Sequence, residues 1–252
     1  MNMKEELNLK ESALELKNLL EASKYTVFFG GAGVSTASNI PDFRGAQGLY
    51  TKNLAAEEIL TPRFLCTQPE AYYDFYRKYF MLDGIQPNPA HTVLARLEAE
   101  GLIQAIITQN VDGLHQAAGS KKVFELHGSG QSFYCNNCQR EYSYETVDKM
   151  PKVPRCESCG GIIRSKIVLY EEGLPEAVVQ AALVEIMKAE LLIVGGTSLT
   201  VYPAAGFINY QRRGGKLVLI NKGESHCPRK VDLFIDQPIA ELFLELEKMI
   251  FN

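Results

Sequence analysis

Six short apolar runs set the frame of this chain: Tyr25–Phe29, Leu102–Thr108, Val123–Leu126, Leu191–Val194, Leu217–Ile220 and Leu233–Ile235. Each is nearly continuous rather than alternating, so both faces of each strand need cover, which is the condition of a parallel sheet between helices. Helical patterns lie between the runs. Pro175–Lys188 is one, and Ile239, Leu242, Phe243, Leu246 and Ile250 recur at helical spacing just after Pro238. The order predicts a doubly wound α/β domain. Two stretches break the alternation. Residues 46–90 carry an aromatic helical patch, AYYDFYRKYF, and residues 130–165 are polar, short-stranded and cysteine-bearing. We expect 1–45, 91–129 and 166–252 to form a Rossmann-like large domain, with 46–90 and 130–165 inserted as a smaller helical and metal-binding lobe.

The cysteines sharpen the second insertion. Cys135-x-x-Cys138 and Cys156-x-x-Cys159 have the spacing of a four-thiolate zinc site. Four thiolates fill a tetrahedral shell, so the ion is expected to be structural. It would staple a module too small to build its own core. Cys66 and Cys227 remain as free thiols. The amino-terminal stretch lacks the apolar run of a signal peptide, and no segment is apolar for the length a membrane span requires. A cytoplasmic protein is expected. With 26 basic and 30 acidic residues the net charge is −4, which gives no electrostatic case for nucleic-acid binding.

The loops after the strands carry the chemistry. Gly30-Gly31 begins a glycine-rich turn after the first strand, where a backbone can approach a pyrophosphate and a following helix would favour its charge. The third glycine of the dinucleotide fingerprint is replaced by Thr36, and an ordinary strand-to-helix turn would read the same way. The second strand ends in Gln109-Asn110-Val111-Asp112 instead of the acid a dehydrogenase uses for ribose. Asn and Asp also serve plain turns. The third strand ends in His127, placed where a general base could act, although a lone histidine is often structural.

Taken together, GAGVSTASNIPDFRG at 31–45, TQNVDGLH at 108–115, ELHG at 125–128, the two CxxC pairs, GGTSLTVYPA at 195–204 and LVLIN at 217–221 resemble the sirtuins, NAD-dependent protein-lysine deacylases, in their bacterial and archaeal form. The resemblance runs from about residue 12 to the carboxyl terminus in one order. It implies that the acyl group of a substrate lysine passes to ADP-ribose, releasing nicotinamide and O-acetyl-ADP-ribose. By motif position His127 would be the base, and Asn110 would order the ribose and a water. Asp112 with Val111 would hold the nicotinamide carboxamide. Ala32, Thr36, Phe43 and Arg44 would line the pyrophosphate and nicotinamide region, with Gln109 on ribose. Thr197, Ser198 and Asn221 would hold phosphate and adenosine ribose, with Ile239 at the adenine end. An acetylated peptide would bind as an extended strand near Val168. Mono-ADP-ribosyl transfer and a catalytically silent NAD-sensing scaffold are the alternatives.

This chain departs from the family at several positions. Asn39 stands where glycine is usual, and Asn tolerates a left-handed backbone. In the substrate strand, usually close to RPxVVxFGE, Ser165 replaces proline and Glu171 replaces glycine. Members that remove succinyl or malonyl groups carry a tyrosine and an arginine three positions on. Here Tyr76 is followed by Tyr79, so uncharged acyl groups, acetyl first, are expected.

Overall fold

The computed structural model describes residues 3–42, 48, 56–82, 84–222 and 227–251. Among these residues, six strands form one parallel sheet: β1 (Thr26–Gly30), β2 (Ala105–Thr108), β3 (Val123–Glu125), β7 (Leu191–Gly195), β8 (Lys216–Ile220) and β9 (Leu233–Ile235), in spatial order β3-β2-β1-β7-β8-β9. Every predicted apolar run holds a strand. The second is shorter than expected, because Leu102 and Ile103 leave the preceding helix through a turn before pairing begins.

Alternation inside each strand decides which core it feeds. Phe28 points to one face with Ile106, Ile193 and Val218, and Val27 and Phe29 point to the other with Ile107, Leu192 and Leu219. The first face is covered by α1 (Met3–Ala22), α3 (Pro89–Ala99) and α5 (Ile239–Phe251). In α1, Leu9, Ala13, Leu16 and Leu20 are buried at spacings of three and four, and Ile239, Leu242, Phe243 and Leu246 do the same in α5. The second face is covered by α4 (Glu176–Lys188) and a 3₁₀ segment over Ala204–Tyr210.

A second, three-stranded antiparallel sheet has the order β5-β4-β6, from β4 (Gly128–Cys135), β5 (Glu141–Ser143) and β6 (Ile163–Ile167). Its core is shared with α2 (Pro69–Phe80), whose Tyr72, Tyr73, Phe75 and Tyr76 pack with Phe133, Ile163 and Ile167. The aromatic patch therefore serves as core. Arg77, on another face of α2, donates to the carbonyls of Val147, Met150, Pro151 and Lys152 at 3.2–3.3 Å. It joins the helical insertion to the cysteine-bearing one.

One expectation is corrected. Over the described residues directly after the glycine turn there is no α-helix: Ala32–Val34 and Thr36–Ser38 form two 3₁₀ turns, closed by Asn39 at φ +63° and followed by Pro41. A left-handed residue and a proline stop helical propagation here. This turn therefore offers a phosphate no α-helix dipole, and its Gly31 and Gly33 N–H groups are already donated to the Gly195 and Gly196 carbonyls.

Candidate active site

The strand order reverses between β1 and β7, and the loops at the carboxyl ends of the strands meet there, as expected for a ligand site in an open α/β sheet. The two loops touch through glycine. Gly33 N–H donates to the Gly196 carbonyl at 2.8 Å, and a Cβ on Gly33 would lie 2.8 Å from Gly196 Cα. Gly196 itself has φ +61°. No side chain fits at this crossing, which leaves an open cleft above it.

That cleft, of about 540 Å³, runs between the large sheet and the segment after β6. Of the residues named from sequence, Ala32, Gln109, Asn110, Val111, His127, Thr197, Ser198, Asn221 and Val168 line it. Thr36 is exposed beside it, with its hydroxyl donating to the Gly33 carbonyl at 3.0 Å. Asp112 stands behind the lining. Ile239 is buried in the core, where its Cδ1 occupies the space a Gly195 side chain would need. Phe43 and Arg44 lie outside the described residues.

His127 is held in one chemically useful form. Its Nδ1 is 2.8 Å from the Gln109 carbonyl, which can only accept, so Nδ1 carries the proton and Nε2 is left as a base. Burial pushes its pKa below the ordinary 6.5, while the hydrogen bond to Gln109 pulls the other way.

A second set of buried bonds orients Asp112. The Asn88 backbone N–H donates to His91 Nδ1 at 3.2 Å, within the capping box that starts α3. His91 Nε2–H therefore faces Ser35 Oγ at 3.3 Å, and Asn110 Nδ2 donates to the same oxygen at 3.0 Å. The Ser35 proton is left for Asp112 Oδ2 at 2.7 Å, and Asp112 Oδ1 accepts Leu114 N–H at 2.9 Å. Burial lowers the His91 pKa to about 4, so the imidazole stays neutral and the direction of the chain is maintained.

Away from the cleft, the sulfurs of Cys135, Cys138, Cys156 and Cys159 lie within 4.8 Å of one another. Cys135 and Cys159 are 3.4 Å apart, and Cys138 and Cys156 3.6 Å. Zinc–sulfur bonds of about 2.3 Å in a tetrahedron put sulfurs about 3.8 Å apart, so this donor set fits zinc. Tyr142 adds a hydroxyl donor to Cys156 Sγ at 3.1 Å.

Comparison with known proteins places the chain in a family. The Sir2 family model matches residues 31–203. The chain belongs to the Sir2 family. It is 47% identical over 232 residues to a protein of Clostridium perfringens named NAD-dependent protein deacetylase, spanning 90% of this chain and 95% of that one. The Clostridium acetobutylicum protein of the same name is 48% identical over 233 residues, with 90% and 95% covered. Among solved structures, a Sir2 with deacetylated p53 peptide and 3'-O-acetyl ADP ribose superposes with a TM-score of 0.88 at 40% identity, covering 95% of this chain and 98% of that one.

Within this Sir2-family chain, sequence reasoning missed Ser35, His91 and Asn88 as parts of the site. Ser35 sits inside the first motif and was open to notice. Nothing local marks His91 or Asn88, since Asn88-Pro89 reads as an ordinary helix start. Leu60 and Phe80 also line the cleft, from segments that only tertiary packing brings there, and Tyr202 joins them from inside the GGTSLTVYPA motif.

Proposed function

We propose that this protein is an NAD-dependent protein-lysine deacetylase, with acyl transfer from substrate lysine to ADP-ribose and release of nicotinamide and O-acetyl-ADP-ribose. The observation that carries this reading is the single His127 side-chain bond: Nδ1–H is tied to the Gln109 carbonyl, which leaves Nε2 to act as base in the cleft beside Asn110. The homologues' shared name, at 47% and 48% identity over most of both chains, supports it. NAD supplies the ribose that receives the acyl group and the nicotinamide that leaves.

His127 Nε2 would take the proton of a ribose hydroxyl, and Asn110 would position the ribose and a water. Asp112, oriented by Ser35 and Leu114, would accept from the nicotinamide carboxamide with Val111 beside it. Ala32, Thr36 and Arg44 are assigned to the pyrophosphate side, and Phe43 to shielding the reacting carbon from water. Gln109 would contact ribose. Thr197, Ser198 and Asn221 would hold phosphate and adenosine ribose, with Ile239 beneath the adenine end. The acylated peptide would lie extended along Val168, whose own N–H is occupied by the His127 carbonyl at 2.8 Å, so pairing would use the outward backbone groups of this segment. The four cysteines would hold structural zinc. We assign 1–45, 91–129 and 166–252 to the NAD-binding domain, and 46–90 with 130–165 to the small one. No described helix is long and apolar enough to cross a membrane, and we place the protein in the cytoplasm.

The test is incubation with an acetyl-lysine peptide and NAD, following nicotinamide and O-acetyl-ADP-ribose by mass. ADP-ribose transferred to protein without deacetylation would instead favour a transferase, and tight NAD binding without turnover a sensing scaffold.

A further inference from the structure

The segment after β6 turns on Glu171, whose φ of +73° lies in the left-handed region that a Cβ disfavours and glycine enters freely. The packing does not account for a glutamate there. Its side chain is exposed on the cleft rim, on the same segment as Val168. The next residue behaves differently. Glu172 accepts two bonds from the buried Arg164 guanidinium at 2.7 and 2.8 Å and the Leu169 N–H at 2.8 Å, which anchors the turn. Glu171 makes no ion pair with any described residue, and its exposed side chain lines the cleft mouth. Lys222, the lysine that lines the cleft among the described residues, adjoins Asn221 after β8, at the end assigned to adenosine.

We propose that Glu171 determines peptide specificity, selecting acyl-lysine sequences with an arginine or lysine within two residues of the modified lysine. This rests on the deacetylase reading. An extended peptide advances about 3.3 Å per residue, and Val168 and Glu171 are three residues apart, at most about 10 Å along the chain. A long basic side chain beside the acyl-lysine spans that distance. The turn anchored by Arg164 and Glu172 keeps the Glu171 backbone in place, so the carboxylate is presented from a fixed point. An exposed carboxylate–guanidinium pair has a modest effect that salt weakens.

Acetyl-lysine peptides of one length, differing only in Arg, Gln or Glu at the flanking positions, are compared by kcat/KM at low and high salt. Wild type is expected to prefer Arg over Glu by about two- to fivefold at low salt, with the ratio shrinking in high salt. Both Glu171→Gln, which keeps the side-chain length, and Glu171→Gly, which suits the left-handed backbone, are expected to bring the ratio to about one. Equal turnover of all peptides by wild type, or an undiminished ratio in Glu171→Gln, overturns the role of Glu171 alone. Absence of turnover on every peptide overturns the deacetylase reading together with it.

Discussion

His127 shows how little a single residue decides alone and how much its partner adds. A histidine at a strand end could be base, ligand or filler, and the Gln109 carbonyl selects the tautomer that leaves Nε2 available. We expect His127→Ala to lower deacetylation by at least 10²-fold with the fold retained, checked by steady-state rates and circular dichroism. Burial holds its pKa below 6.5, so the imidazole is mostly neutral at pH 7, as the proposed base must be. The kcat/KM profile should be flat from pH 7 upward on this account and fall only as pH drops below 6.5. An acid limb centred above 7 would contradict this. Ser35→Ala removes the hydroxyl that joins His91, Asn110 and Asp112, leaving buried donors and an acceptor unmatched. At about 1–3 kcal/mol, this should weaken NAD binding by roughly five- to 150-fold, measurable by calorimetry. Acyl choice belongs to this scale too. Tyr79 stands three positions after Tyr76, and Arg77 is engaged with backbone carbonyls, so neither gives an acyl carboxylate a guanidinium partner. Desuccinylation at a rate comparable to deacetylation would refute the expected preference for uncharged acyl groups.

Among elements, the strands were legible because a strand buried on both faces must be apolar throughout, and that signal is local. The zinc module was legible because ligand spacing is chemistry written in sequence. The joint between the two insertions was not. Arg77 reads as an exposed helix residue, yet it closes on the carbonyls that end the Tyr144–Asp148 helix and begin the next turn. Chelation of zinc or Cys135→Ala is expected to destabilise this lobe, seen as a lowered thermal midpoint and increased amide exchange in 130–165. Arg77→Ala should produce a smaller loss, about 1–3 kcal/mol, from the stranded carbonyls. The 3₁₀ turns after β1 were missed because a glycine-rich strand-to-helix reading ignores what Asn39 and Pro41 do to propagation.

Across the whole molecule, two buried imidazoles couple folding to pH. His91 and His115 sit 4.9 Å apart, ring to ring, and burial lowers their pKa values to about 4 and about 3. In the unfolded chain both titrate near 6.5. Between those values the unfolded state binds more protons, so stability is full above about pH 6.5 and is lost as pH falls toward 4. Thermal midpoints at pH 7, 6 and 5 should decline in that order. His115→Leu, which removes an imidazole whose nitrogens have no partner among the described residues, should flatten the decline. The sequence by itself determined the parallel sheet, the four-thiolate module and the motif loops, because burial on two faces, metal geometry and phosphate approach each demand particular residues at short spacing. Only the tertiary structure decided which loops meet at the β1/β7 reversal, which carbonyl sets the His127 tautomer, and that Ser35, Asn88 and His91 support Asp112. Those contacts join residues that are mostly 18 to 77 positions apart. Hydrogen-bond direction depends on atoms meeting in space, and spacing along the chain carries no record of it.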